Sequence, residues 1–340
     1  MPFADIKRRL RLPLIAAPMF RVSGPEMVAA ACRSGVIGAF PTANCRDVAE
    51  LDQWLSRIEH SLGGAEIPTA PCCPNLIIRQ SRLKEDLACL MRHKVEMVIT
   101  SVGSPESVVA PLHDIGCLVL ADIASLRHAE KALGAGADGL VLLTAGAGGQ
   151  TGWANGFAFV RAVRARFDGP IILAGGVSDG HALWAAEVLG CDLAYMGTKF
   201  IATRESMASE PYKEMLVKSG LDDVMLTRAF TGLDTNMLRP SIIGAGLDPA
   251  NLPQDIAAEQ AQELYGGGAA GPRRWKDIWS AGHSVSGVDR IRSVAELIER
   301  TRAEYDAARR ATAARLDGPE STPFPSIRVR PTLDETSETS

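Results

Sequence analysis

A (β/α)8 TIM barrel with a small helical subdomain inserted after strand 8 is the fold class this 340-residue sequence predicts. Three observations carry that reading. Short apolar or β-branched runs alternate with helical patterns eight times in the first 200 residues or so. The runs show little polar alternation, as parallel strands covered on both faces require. Glycine-rich turns close the later runs, where a barrel carries its site. An open doubly wound sheet rarely needs eight such units in about that length.

In chain order the strands are "LPLIAAP" (12–18), "VIGAF" (36–40), "TAPCCPNL" (69–76), "VEMVITS" (95–101) and "GCLVLAD" (116–122). "ADGLVLLT" (137–144), "GPIILAGG" (169–176) and "CDLAYMGT" (191–198) follow. Helical spacing of apolar residues predicts helices over 23–34, 47–61, 105–114, 126–135, 157–167 and 179–189. After the eighth strand the period changes. Segment 203–284, with polar helical stretches and the loop "ELYGGGAAGPRRW", reads as a helical insertion or lid. The barrel then comprises 1–202 and 285–315, its last helix spanning 293–310. Residues 318–340, rich in Pro, Ser and Thr, read as a flexible tail.

Composition narrows the class. The chain is 46% hydrophobic and 22% charged, with a net charge of −4 and no basic stripe, so nucleic acid is not an expected partner. No apolar run reaches the roughly 18 residues a membrane span needs. Seven cysteines without paired spacing read as reduced thiols, and no metal site is expected from them. The N-terminal stretch lacks a signal-peptide pattern, so a cytoplasmic protein is expected.

Barrel active sites lie at the C-terminal ends of the strands. That rule selects Ala17, Pro18 and Met19, then Asn75, Asp122, the turn Gly146–Gln150, Gly175 with Gly176, and Gly197 with Thr198. The last two pairs follow strands 7 and 8, a common place for phosphate, where a Cβ would block the approach. The alternative is that these glycines only make tight turns. A dinucleotide G-x-G-x-x-G reading fails, because Thr151 stands where the third glycine is needed. Gln150 is either a turn-stabilising amide or a hydrogen-bonding group facing substrate or cofactor.

The segments "PLIAAPM", "PNLIIR", "GADGLVLLTAGAGGQTG", "PIILAGGVSDG", "AYMGTKFIATRES" and "TRAFTG" together resemble the nitronate monooxygenase (2-nitropropane dioxygenase) family of FMN-dependent barrels, over roughly residues 10 to 300. The resemblance implies FMN at the barrel mouth. Ala17, Pro18 and Met19 would lie beside the ring and Asn75 at its polar edge. Gly149 would approach the flavin, and Ala174, Gly175, Gly176, Gly197 and Thr198 would hold the phosphate. It also implies a small-molecule substrate, O2 as a candidate oxidant, and a homodimer.

Two departures stand out. Gln150 occupies the position of the family's catalytic His, which removes the α-proton of a nitroalkane. Losing a positioned base costs about 10²–10⁴ in rate for a step that needs proton transfer. A nitronate is already deprotonated and needs no base. Asp122 stands where some relatives carry Lys near the flavin; it either faces the ring or caps the helix that follows. The loop "WSAGHSVSG" places His283 where the family reads Gln, so His283 is expected either to replace the missing base or to be a solvated loop residue. The expected function is FMN-dependent oxidation of alkyl nitronates with O2 to a carbonyl compound and nitrite, with Gln150 and His283 as the catalytic candidates. The alternatives are an NAD(P)H:quinone or enoyl reductase and, from another class, a non-redox lyase or isomerase acting on a phosphorylated substrate. The last would require a Lys or Glu at an inner strand end, and only Lys199 comes near one.

Overall fold

The computed structural model describes residues 2–63, 69–254, 256–266 and 271–317. The expected tail, 318–340, lies outside them. The strands in chain order are β1 (Leu14–Ala16), β2 (Ile37–Pro41), β3 (Cys72–Ile77), β4 (Met97–Ser101), β5 (Leu118–Ile123), β6 (Gly139–Leu143), β7 (Gly149–Gln150), β8 (Ile171–Ala174) and β9 (Leu193–Met196). All but β7 close into one parallel barrel, in which β9 returns to β1 through Leu14–Ala194, Ile15–Tyr195 and Ala16–Met196. The eight expected strands are all present, each starting later than its apolar run. In five runs a leading residue still donates back into the preceding helix (Val36 to Ala31, Val95 to Leu90, Cys117 to Leu112, Ala137 to Ala132 and Cys191 to Ala186); Gly190, left-handed at φ 112°, ends the last of those helices.

Helix α1 (Phe3–Arg8) sends Ile6, fully buried, into the barrel interior. The outer layer is α2 (Pro25–Arg33), α3 (Val48–Leu62), α4 (Leu83–Arg92), α5 (Glu106–Asp114), α6 (Leu126–Gly134), α7 (Gly156–Arg164) and α8 (Gly180–Leu189). Asp47, Ser125, Asn155 and Asp179 cap α3, α6, α7 and α8 through side-chain oxygens that accept first-turn N–H groups. The sequence reading assigns no helix to the α4 segment, although its apolar residues Cys89 and Leu90 pack into the outer core.

The segment after β9 differs from the expected helical subdomain. It holds α9 (Thr198–Ile201), α10 (Glu210–Lys218), α11 (Arg239–Gly244) and α12 (Ala258–Tyr265), but also an antiparallel pair, β10 (Val224–Thr227) and β11 (Thr235–Leu238). The outer edge of β11 takes up β7, pairing Thr235 with Gln150 and Asn236 with Gly149. A two-residue strand from the barrel loop thus completes a sheet otherwise built from the insertion. Helix α13 (Val294–Asp317) returns to the barrel, where Trp184 Nε1 of α8 donates to Thr312 Oγ1 at 2.9 Å.

All seven cysteines are free, and burial pushes every thiol above its ordinary value, so they stay protonated. Among the described residues no helix is long and apolar enough to cross a membrane.

Buried Asn236 joins the two sheets: its Nδ2 donates to the carbonyls of Ala145 (2.9 Å) and Ala147 (2.7 Å) in the loop between β6 and β7. Asn236→Ala leaves both carbonyls without that donor. A loss on the order of 2 kcal/mol in urea unfolding is expected, the usual cost of stranding buried polar groups. An unchanged midpoint would show that the loop is held without this contact.

Candidate active site

The cavity follows from strand parity. Side chains alternate along a strand, so residues two apart share a face. The interior cluster contains Ile15, Cys73, Ile99, Leu120, Val141, Ile172 and Leu193. Two positions further along the same strands stand Ala17, Asn75, Ser101, Asp122, Leu143, Ala174 and Tyr195, and all seven line a cavity of about 530 Å³ at the C-terminal mouth of the barrel. That volume falls in the range of small-molecule and cofactor sites.

Loops build the walls. Segment 17–23 is a knot: Ser23 Oγ donates to the Ala17 carbonyl, and Asn44 Nδ2 donates to the carbonyls of Met19 and Ser23. Asn44 Oδ1 accepts the Arg21 N–H at 2.8 Å, which holds Arg21 at φ 60°. Val102 (φ 53°) and Trp275 (φ 65°) also line the cavity, so three of the four described non-glycine residues with positive φ are here. Such conformations cost about 1–3 kcal/mol each and persist where the surroundings over-determine them. Tyr212 of α10 stacks on Trp279 with ring centroids 5.0 Å apart, and its hydroxyl donates to the Ser280 carbonyl.

The glycine-rich turn after β6 lies against backbone. A Cβ on Gly148 would sit 2.6 Å from the Gly282 nitrogen, so the two loops can meet only with glycine at this point. Gly282 N–H donates to Thr198 Oγ1 (2.9 Å) and His283 N–H to the Gly146 carbonyl (3.0 Å). Gln150, fixed by its ladder with Thr235, lines the cavity, and its side-chain amide makes no hydrogen bond to a described residue. The turn-stabilising reading of that amide therefore lacks a partner.

Twelve of the thirteen sequence-selected residues line this one cavity: Ala17, Pro18, Met19, Asn75, Asp122, Gly149, Gln150, Ala174, Gly175, Gly176, Gly197 and Thr198. His283 does not. It opens a 3-10 turn over His283–Gly287 with its side chain exposed, while Ala281 and Ser284 face the cavity. None of the six histidines lines the cavity. Asp122 does not cap α6, because Ser125 does. Asn75 is buried, accepting from Ser101 Oγ (3.2 Å) and donating to the Ile99 carbonyl.

Sequence reasoning missed Tyr195, Tyr212, Trp275 and Trp279, and the arginines Arg21, Arg273 and Arg274 that line the cavity from its loops. Tyr195 shares a strand face with Gly197, a signal the sequence contained.

Asp122 is the cavity's only acid among the described residues, and its carboxyl has no hydrogen-bond partner there; its Oδ1 is enclosed. Burial pushes its pKa up to about 7. The Tyr195 hydroxyl is likewise enclosed and unpartnered, and is held well above its ordinary value by burial and by the neighbouring Asp122 and Cys73.

A closed parallel barrel with a cavity of this size at its C-terminal mouth has the architecture of a barrel enzyme. The profile of the nitronate monooxygenase family matches residues 48–304, and the chain belongs to that family. It is 25% identical over 246 residues to a (3aS,4S,5R,7aS)-5-hydroxy-7a-methyl-1-oxo-octahydro-1H-indene-4-carboxyl-CoA dehydrogenase of Rhodococcus jostii, covering 72% of this chain and 68% of that protein. It is 28% identical over 281 residues to a nitronate monooxygenase of Paraburkholderia phytofirmans, covering 70% and 76%. Among solved structures, a nitroalkane oxidase from Streptomyces ansochromogenes superposes with a TM-score of 0.73 at 25% identity, covering 90% of this chain and 99% of that one.

The raised pKa of Asp122 carries a stability consequence. The folded protein keeps a proton that the unfolded chain releases above pH 3.8. This group's contribution is therefore complete below pH 3.8 and is lost as pH rises through about 7. Asp122→Asn should match the parent near pH 4 and exceed it at pH 8. The gap should reach up to roughly 4 kcal/mol, at about 1.4 kcal/mol for each tenfold change in proton affinity. Urea unfolding of the ligand-free protein across that range checks it; a gap independent of pH would mean a solvated carboxyl.

Proposed function

We propose that this chain is an FMN-dependent oxidoreductase that oxidises alkyl nitronates, substrates that reach the site already deprotonated. The observation that carries this is Gln150. It lines the cavity with an unengaged amide, and no histidine among the described residues joins it. An amide can orient a nitronate oxygen by donating a hydrogen bond but cannot take the α-proton of a neutral nitroalkane.

The residues fit FMN. Gly176, at φ 77°, has open space where a Cβ would stand. The N–H groups of Gly176 and Val177 make no hydrogen bond to described residues, so a phosphate would find free donors beside Gly197 and Thr198. Asn75, Asp122 and Tyr195 offer polar atoms at the floor, and Ala17, Pro18 and Met19 an apolar edge. Bound FMN would supply the electron acceptor that O2 restores, with carbonyl compound and nitrite as products. The chain's own part is to hold the ring, orient the substrate with Gln150, and exclude water with the Tyr212–Trp279 wall.

A second reading rests on Arg21, Arg273 and Arg274. Three cationic side chains lining the cavity suit a phosphate-bearing thioester, and one relative is named as a CoA dehydrogenase. The lyase reading loses its lysine: Lys199 lines a separate small pocket with Val288 and Arg292.

Purified protein reconstituted with FMN should lose its visible flavin band anaerobically with propyl-2-nitronate and keep it with 2-nitropropane. Gln150→His should raise the rate with the neutral nitroalkane by about 10²-fold or more. A band unchanged by nitronate would overturn the nitronate reading and favour the thioester one, tested with an enoyl-CoA and NADPH.

A further inference from the structure

We propose that Asp122 and Tyr195 form a hydrogen-bonding floor against the polar edge of the flavin, with Asp122 engaged in its protonated form, so that ionisation of this one side chain sets how readily the bound ring accepts electrons. The proposal rests on the flavin reading above.

Three enclosed side-chain polar atoms lack a partner among the described residues, and two of them are here: Asp122 Oδ1 and the Tyr195 hydroxyl. The third, Asp86 Oδ1, lies in the outer layer, on a carboxylate whose other oxygen accepts from Gln80 and Arg82. Native proteins rarely leave buried polar atoms without a partner. Tyr195 is only 8% exposed, yet it belongs to the cavity lining, as Asp122 does. They reach it from different sides of the barrel, β9 and β5, at equivalent interior positions.

The charge state of the floor follows from its surroundings. The titratable groups facing Asp122 are Tyr195 from β9 and Cys73 from β3, both held protonated by burial. No lysine, arginine or histidine pairs with it among the described residues. The cavity's arginines belong to loops above the strands, where Arg273 meets Asp277 and Arg274 donates to the Phe230 carbonyl. An unpaired carboxylate there would be costly and would oppose the negative charge that reduction brings. A neutral carboxyl and a phenol can instead both donate to the electron-rich ring.

The test is the midpoint potential of the FMN-loaded full-length protein between pH 5 and 9, for the parent, Asp122→Asn and Tyr195→Phe. Asp122→Asn should coincide with the parent at pH 5 and lie above it at pH 9, the two curves parting near neutral pH. Tyr195→Phe should lie below the parent throughout and run parallel to it. Parallel curves for the parent and Asp122→Asn would overturn the proposal while leaving the flavin reading intact. If Asp122→Asn fails to hold FMN, Asp122→Ser takes its place, and a curve parallel to the parent's would overturn the proposal. A parent protein that takes up no FMN would sink both readings before any potential is measured.

Discussion

The contact on which the site depends is between two stretches of backbone. Gly148, in the turn after β6, lies so close to Gly282 that neither can carry a side chain: a Cβ on Gly282 would stand 2.6 Å from the Gly146 carbonyl oxygen. With both side chains absent, the Gly146 carbonyl of the turn accepts the His283 N–H of the returning loop, and the turn continues into β7 on the free edge of β11. Asn236 then fastens the same turn from the other side. The insertion is therefore part of the cavity wall rather than a body resting on a finished barrel. Gln150 stands where it does because a strand on one side and a glycine contact on the other leave its backbone no alternative.

The barrel contributes the opposite kind of constraint. Its strands are covered on both faces, so the sheet cannot slip in register without exchanging interior for exterior side chains. The interior parity that buries Leu120 and Leu193 places Asp122 and Tyr195 at the cavity floor. Hydrophobic burial along the strands thus carries the cost of holding polar groups where no protein partner meets them. Loops set the walls and strands set the floor, and each can vary without disturbing the other.

This division also explains what the sequence discloses. Strand ends are legible because turn residues follow them, so Asn75, Asp122, Gly176 and Thr198 can be found from position alone. Tyr195 does not stand at a strand end, and a strand apolar on both faces shows no alternation to mark it; only its two-residue spacing from Gly197 carries a signal. The sequence reading offers Asp122 as a possible cap for α6 and overlooks Ser125, which stands directly before the first helical turn and accepts the His128 N–H. The antiparallel pair β10–β11 is hidden in the sequence because its connection is too long for a two-residue hairpin signal. Its third strand is also distant along the chain. The motif likewise does not show that His283 opens a 3-10 turn and stands exposed, outside the cavity lining.

Taken together, rim and floor divide the proton chemistry unevenly. At the rim stands an amide, neutral at every accessible pH; at the floor stands the one carboxyl of the described lining, with no cation to hold it charged. If a flavin binds as proposed, a floor group bonded to its polar edge is directed at the ring and not at the substrate's reacting carbon. It can alter the affinity of that ring for electrons, but it is badly placed to take a proton from carbon. A site built this way favours chemistry whose deprotonation is complete before binding, and it moves any pH dependence from proton abstraction to electron transfer. On the reading proposed above, Gln150 and Asp122 would be complementary: the first offers no base to the substrate, and the second would act through the flavin rather than on the substrate.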